Sequence, residues 1–171
     1  MTRAARHLHL YFSGSVEEKL EVSRQLFAEH GQDLLQQQEV MNGLARLQQA
    51  EATLNEQMRA MHMGSRCSAC ATQAGGGCCS GYMAGNTDAI LLLINQLMGI
   101  EVGIQHTDET ECCFLGPSGC ILKIKPIFCL NYNCTHIKEA ASTRQMLELE
   151  QKAGILLGDQ TALEALLLER L

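Results

Sequence analysis

All nine cysteines of this chain fall between Cys67 and Cys134, and this crowding constrains the fold more than any other feature of the sequence. The same thiols become disulfides outside the cell and metal ligands inside it, so compartment decides how they are read. Met1 to Ser15 holds Arg3, Arg6, His7 and His9 but no apolar run of seven or more residues, so it lacks the hydrophobic segment of a signal peptide. A cytoplasmic protein is expected. An odd number of cysteines without an export signal argues against a closed disulfide framework and leaves metal binding or redox chemistry.

With 171 residues, the chain is long enough for one domain with a real core and too short for two full domains. Thirteen basic residues against 19 acidic ones give a net charge of −6, which repels a polyanion and argues against nucleic acid as a partner. Aromatic residues make up 4% of the sequence and Trp is absent, so the core must come from Leu, Ile, Met and Ala. That composition points to a mainly α fold, a single helical domain around an irregular Cys-rich metal-binding core, and excludes an aromatic-rich β-sandwich. The most apolar stretch, Ala89 to Ile104, is interrupted by Asn95, Gln96 and Glu101 and falls short of the roughly 20 residues a bilayer requires. It reads as a buried helix, and no membrane association is expected.

Three regions follow from the pattern: an N-terminal helical region over 1–63, the Cys-rich core with its apolar helix over 64–136, and C-terminal helices over 137–171, all in one unit. Leu8, Leu10 and Phe12 alternate with His9 and Tyr11, the signature of a short strand. From Ser15, an N-cap with Glu17 and Glu18 in the first turn, the chain is free of proline to Met63, which predicts one or two long helices broken at Gly31 or Gly43. Val40, Leu44, Leu47, Leu54, Met58 and Met61 form an amphipathic stripe. A stripe of about three heptads with two flexible methionines suits packing on its own domain better than a coiled coil, with a protein partner or homodimer through this helix as the alternative. Thr87-Asp88 caps an almost wholly apolar helix that Gly99 stops. Lys138 to Lys152 is helical in composition, and Gly158-Asp159 introduces a last helix from Thr161 to Leu171. Leu163, Leu166, Leu167 and Leu171 share one face of that helix and need something to dock on.

The thiols fall into two blocks, Cys67-x2-Cys70-x7-Cys78-Cys79 and Cys112-Cys113-x6-Cys120-x8-Cys129-x4-Cys134. A C-x2-C pair turns two thiolates toward one cation, and the glycines around it let backbone N–H groups approach sulfur. Gly116-Pro117-Ser118-Gly119 has turn chemistry, and Pro126 stops the short apolar segment between Cys120 and Cys129. The apolar helix lies between the blocks, where it can give a site built from both a rigid support.

In order, Cys67-x2-Cys70, Cys78-Cys79, Cys112-Cys113-Phe114-Leu115, Cys120-Ile121, Lys125-Pro126, Cys129, Tyr132 and Cys134 resemble the YkgJ-type family, known as the CxxCxxCC or zinc- or iron-chelating domain. The resemblance covers about 70 residues and leaves the flanking helices without family support. It implies metal ligation by Cys67, Cys70, Cys78, Cys79, Cys112, Cys120, Cys129 and Cys134. Four departures stand out: a longer interval between Cys70 and Cys78, Cys113 where proline is common, and Lys125 and Leu130 in place of arginines. Lysine lacks the planar fork of arginine, so anion contacts change there. A similar block occurs in the flagellin lysine methylases, which raises methyl transfer as a remote alternative. No catalytic motif accompanies it: Gly75-Gly76-Gly77 is not a dinucleotide fingerprint, and the cysteine spacing of radical enzymes is absent.

Eight matched thiols suit two four-cysteine sites or one polynuclear site. The favoured expectation is an iron-sulfur cluster or iron, for redox or sensing; the alternative is zinc in a helical adaptor for protein–protein interaction. Side chains of adjacent Cys78 and Cys79 diverge, so the pair suits two different metals or one ligand plus one supporting thiol. Two other readings fit less well: ordinary burial of small hydrophobes does not crowd every cysteine into two spaced blocks, and thiol–disulfide exchange at Cys67 and Cys70 lacks its βαβ context. His62, His106 and His136 lie near cysteines and are further nitrogen donors, His136 the foremost. Asp88, Asp108, Glu109 and Glu111 read as cap and solvated loop.

Overall fold

Helix caps set the frame. Ser15 opens α1 (Val16–Gln36) with a capping box, in which the Glu18 N–H donates to Ser15 Oγ at 3.2 Å and the Ser15 N–H donates to Glu18 Oε2 at 2.7 Å. The computed structural model describes residues 9–71, 77–105, 107, 111–117, 119–131 and 133–171, with the backbone alone for 68–71. The elements after α1 are α2 (Gln38–Ala60), α3 (Met63–Ala71), α4 (Gly81–Ala84), α5 (Ala89–Leu97), β1 (Leu115–Gly116), β2 (Gly119–Cys120), α6 (Ile127–Asn131), α7 (Thr135–Ala140) and α8 (Thr143–Arg170). The protein is mainly helical, as its composition dictates, and no helix among the described residues is long and apolar enough to cross a membrane.

The break between the first two helices falls at Gln37, which is extended at φ −83°, ψ 120°, and neither Gly31 nor Gly43 interrupts anything. Both glycines serve close packing. A methyl group on Gly43 would stand 3.0 Å from Leu163 Cδ1, and one on Gly31 would stand 3.0 Å from the Phe27 ring. The amphipathic stripe of α2 is consumed inside the chain: Val40, Leu44, Leu47 and Leu54 are buried along α8. The two helices run antiparallel, since Glu39 pairs with Arg170, Arg46 with Asp159 at 3.5 Å, and Gln57 receives a 2.9 Å hydrogen bond from Lys152 Nζ.

The expected break at Gly158-Asp159 does not occur. Residues 143–170 form one helix, begun by a capping box at Ser142 and Gln145. Leu149, Leu156, Leu163 and Leu167 bury along α2 without a gap, and the burial of each side chain, about 1.5–3 kcal/mol, outweighs the roughly 1 kcal/mol penalty of an interior glycine. The short strand expected at Leu8 to Phe12 is also overturned. Leu8 lies outside the described residues, and residues 9–12 are helical, with the Ser13 N–H donating to His9 O at 3.0 Å. Tyr11 turns into the core while Leu10 and Phe12 face solvent, the reverse of the alternating pattern. One aromatic side chain docking on the core outweighs a pattern of five residues.

The apolar helix forms as its caps predict. Asp88 Oδ1 accepts from the Leu91 N–H at 2.8 Å, and Gly99 ends the helix at φ +78°, a conformation open to glycine. α5 is buried almost all round, because α1 and α8 flank it and the Cys-rich segment covers the rest. Its one fully buried polar side chain, Asn95, donates to Ile124 O at 2.9 Å and accepts from the N–H groups of Lys123 and Ile124 at 2.9 and 3.1 Å. One core cluster runs from Tyr11 through α2 and α5 to Leu167; a second, smaller one joins Leu20, Leu92, Val102, Phe114 and Leu122 under the second thiol block.

Candidate metal centre

Several short elements position the cysteines. Cys67 rides on α3, half-buried against the main core, with Cys70 one turn further on the same helix; the Cys70 side chain lies outside the described residues. Cys78, at a bend whose carbonyl accepts from the Ser80 N–H at 3.0 Å, and Cys79 follow just before α4. The second block returns to them through backbone pairing. The Cys112 N–H donates to Cys79 O at 3.1 Å, and Ser80 and Glu111 form an antiparallel bridge beside it.

The Gly116-Pro117 turn closes a two-residue hairpin in which Leu115 faces Cys120 and Gly116 faces Gly119, the latter at φ +110°. That hairpin folds Cys120 back over Cys112 and Cys113, with the Ile121 N–H donating to Phe114 O at 3.0 Å. The chain then passes the Asn95 clamp at Lys123 and Ile124, which aims Lys125 and Pro126 and starts α6, the carrier of Cys129. Cys134 caps α7, and His136 sits in its first turn.

Thiols from both halves of the region therefore share one neighbourhood. Cys67, Cys78, Cys79, Cys134 and His136 line a cavity of about 30 Å³ together with Arg66, Gly77 and Ile137. A second neighbourhood is electrostatic. Loss of surrounding water, followed by the thiols of Cys120, Cys112 and Cys79, pushes the Cys129 thiol up to about 12. Loss of water and then Cys112, Cys120 and Cys67 raise Cys79; loss of water also raises Cys112 and Cys120. Lys125 acts in the opposite sense on Cys79, Cys120 and Cys129. Three of these thiols, Cys79, Cys120 and Cys129, are exposed, so this group lies at the surface and not in a sealed core.

Among the described residues, no three Cys, His, Asp or Glu side chains are drawn together tightly enough to hold a metal ion as they stand. The thiols are gathered but not locked on a common centre. Cys113 belongs to the same group, since Cys120 raises it and it in turn raises Cys112, but it also faces α1. After loss of water, the strongest influence raising it is Glu17 at the start of α1, and it packs with the smaller core cluster. His62 is the single described non-glycine residue with positive φ, at 54°, and lines a separate shallow cavity near Arg66. His7, His106, Asp108, Glu109, Gly75, Gly76 and Tyr132 lie outside the described residues.

Two contributors escaped the reading of the sequence. Asn95 looked like an interruption in an apolar helix, yet it fastens the segment between Cys120 and Cys129; an amide inside an otherwise apolar run is the signal that marks it. Lys125 looked like a weakened arginine, yet its ammonium acts on three of the thiols, Cys79, Cys120 and Cys129. Comparison of the chain with models of protein families, with curated proteins and with solved structures finds no match. The likeness to the zinc- or iron-chelating domain rests on the order of the cysteines and the residues beside them.

Proposed function

We propose that this chain is a metal-binding protein of the zinc- or iron-chelating type, in which cysteine thiolates from both blocks hold iron, as an iron-sulfur cluster, for redox or sensing. The observation that carries this reading is the meeting of sequence-distant thiols: Cys67, Cys78 and Cys79 share one small cavity with Cys134, while Cys112 is hydrogen-bonded at 3.1 Å to the backbone of Cys79. The donor set suits the group. Cys79, Cys112, Cys120 and Cys129 form an all-sulfur neighbourhood with one lysine, and all-thiolate ligation favours iron-sulfur clusters or zinc over hard cations. Bound iron with sulfide supplies one-electron chemistry; the chain's own part is to hold thiolates, offset their charge with Lys125 and limit solvent at the concave face.

Zinc is the second reading, supported by a cavity with room for one ion. The partner-binding part of that reading has less support at the N-terminal stripe, which α8 covers, than at the exposed Tyr82, Ile127 and Phe128 around the site. A cytoplasmic location fits either metal, since reduced thiols are required for both. Methyl transfer remains without a residue to carry it.

Protein purified without oxygen and analysed for iron, sulfide and zinc tests the proposal. Iron and sulfide with a broad absorption band near roughly 400 nm support the cluster; colourless protein carrying zinc supports the alternative. Cys129→Ala is expected to lower metal content and melting temperature together, because ligation and folding are coupled. Metal-free wild-type protein that takes up neither metal on anaerobic reconstitution overturns both readings.

A further inference from the structure

The second thiol block meets the first along one piece of backbone with a defined register. Ser80 and Glu111 form an isolated antiparallel bridge, and beside it the Cys112 N–H donates to Cys79 O at 3.1 Å. An antiparallel register steps down one chain as it steps up the other, so the residue before Ser80 stands opposite the residue after Glu111. Cys79 and Cys112 are that opposed pair. At such a hydrogen-bonded position the Cα atoms stand about 5.5 Å apart and both side chains leave the same face. A disulfide spans about 4.4–6.8 Å between Cα atoms, so the backbone is already set for one. Both thiols are free, Cys79 exposed and Cys112 half-buried.

We propose that Cys79 and Cys112 form a reversible disulfide when the metal-free chain meets a small-molecule disulfide such as glutathione disulfide. This goes beyond the metal-binding reading and does not depend on it, since it needs only the backbone register. Neighbouring thiols are less well placed. Cys113 lies in the turn beyond Cys112 and faces α1, and Cys120 stands opposite Leu115 in the hairpin. Among the thiols, Cys112 acts on Cys79 most strongly, ahead of Cys120 and Cys67. The exposed Cys79 is the one that meets the reagent. Its thiolate attacks one sulfur of glutathione disulfide, the S–S bond of the reagent breaks, and one glutathione thiolate leaves. The Cys112 thiolate then attacks the Cys79 sulfur of that mixed disulfide and expels the second glutathione. Two thiols of the chain are oxidised and one disulfide is reduced to two glutathione thiols, which take up the two protons. The new bond ties the two cysteine blocks together across the segment that contains α5. It also withdraws two sulfurs from any metal.

The test uses the full chain, stripped of metal and incubated with glutathione disulfide without oxygen. Wild-type protein is expected to lose two of its nine thiols with no glutathione retained, and to regain both on reduction with dithiothreitol. Mass-spectrometric fragmentation of the unreduced digest is expected to join Cys79 to Cys112. Cys79→Ser and Cys112→Ser are each expected to abolish the cross-link, the latter keeping glutathione bound at Cys79. Cys113→Ser and Cys120→Ser are expected to retain it, and circular dichroism checks that all four variants fold. A cross-link that persists in Cys79→Ser or Cys112→Ser, or one mapped to Cys112 and Cys120, would overturn the assignment. So would wild-type protein that keeps all its thiols, or that retains glutathione without an internal bond. A chain that binds no metal yet forms this bond would overturn the metal-binding reading alone; one that binds metal yet cannot form the bond when stripped would overturn this inference alone.

Discussion

The pair α2 and α8 and the thiol region between α3 and α7 are ordered by different means. The helix pair buries Val40, Leu44, Leu47, Leu156, Leu163 and Leu167 along one continuous seam. Solvent exclusion is the main source of its order, with a capping box and polar pairs fixing its register. Apart from α5, the described residues of the thiol region form two strands of two residues each, two helices of four and five residues, and a few backbone hydrogen bonds such as Cys112 to Cys79. It leans on α5 through Phe114, Leu122, Ile124 and the Asn95 clamp, while Cys78, Cys79, Cys120 and Cys129 remain at the surface. The comparison teaches that a frame made rigid by apolar area can hold a segment with little regular structure of its own in place.

The comparison breaks most sharply in the frame. Leu47→Ala, at a fully buried position, is expected to cost about 3 kcal/mol in chemical denaturation, equally with and without metal. A much larger loss in the metal-loaded protein would show that frame and site are not separable. Asn95→Leu is expected to cost about 2 kcal/mol by leaving the Lys123 and Ile124 backbone unpaired, and to lower metal content as well. Unchanged metal content in that variant would remove the clamp from the account of the site.

Proton linkage gives a smaller effect with a definite sign. The Cys129 thiol holds its proton to about 12 in the folded chain, against 9.0 ordinarily. Between those values the unfolded chain binds fewer protons than the folded one, so stability falls as pH rises. The metal-free protein is therefore expected to lose stability from about pH 9 upward toward 12, with the Cys129→Ala variant losing less; equal slopes for both would refute the linkage. The same protons must leave when metal binds, so metal affinity is expected to rise with pH. Smallest of all, Arg170→Ala removes an exposed pair with Glu39 and is expected to cost less than about 1 kcal/mol by thermal melting.

Local signals were readable where they act over a few residues. Ser15 with Glu18, Asp88 and Gly99 mark helix ends in the sequence and mark them in the fold, because a cap is satisfied by groups within four positions. Glycine was misleading at Gly31, Gly43 and Gly158. A helix-breaking tendency of about 1 kcal/mol is set against packing by partners such as Leu163 that lie far along the chain.

What the residues alone determined is a chain of capped, Leu-rich helices with every thiol confined to one proline-punctuated stretch, since composition, spacing and caps are properties of neighbouring residues. Tertiary structure alone decided that α2 and α8 pair antiparallel, that Asn95 fastens the segment before Cys129, and that Cys112 pairs with the backbone of Cys79. Those outcomes depend on which distant surfaces bury each other, and a linear pattern holds no record of that choice.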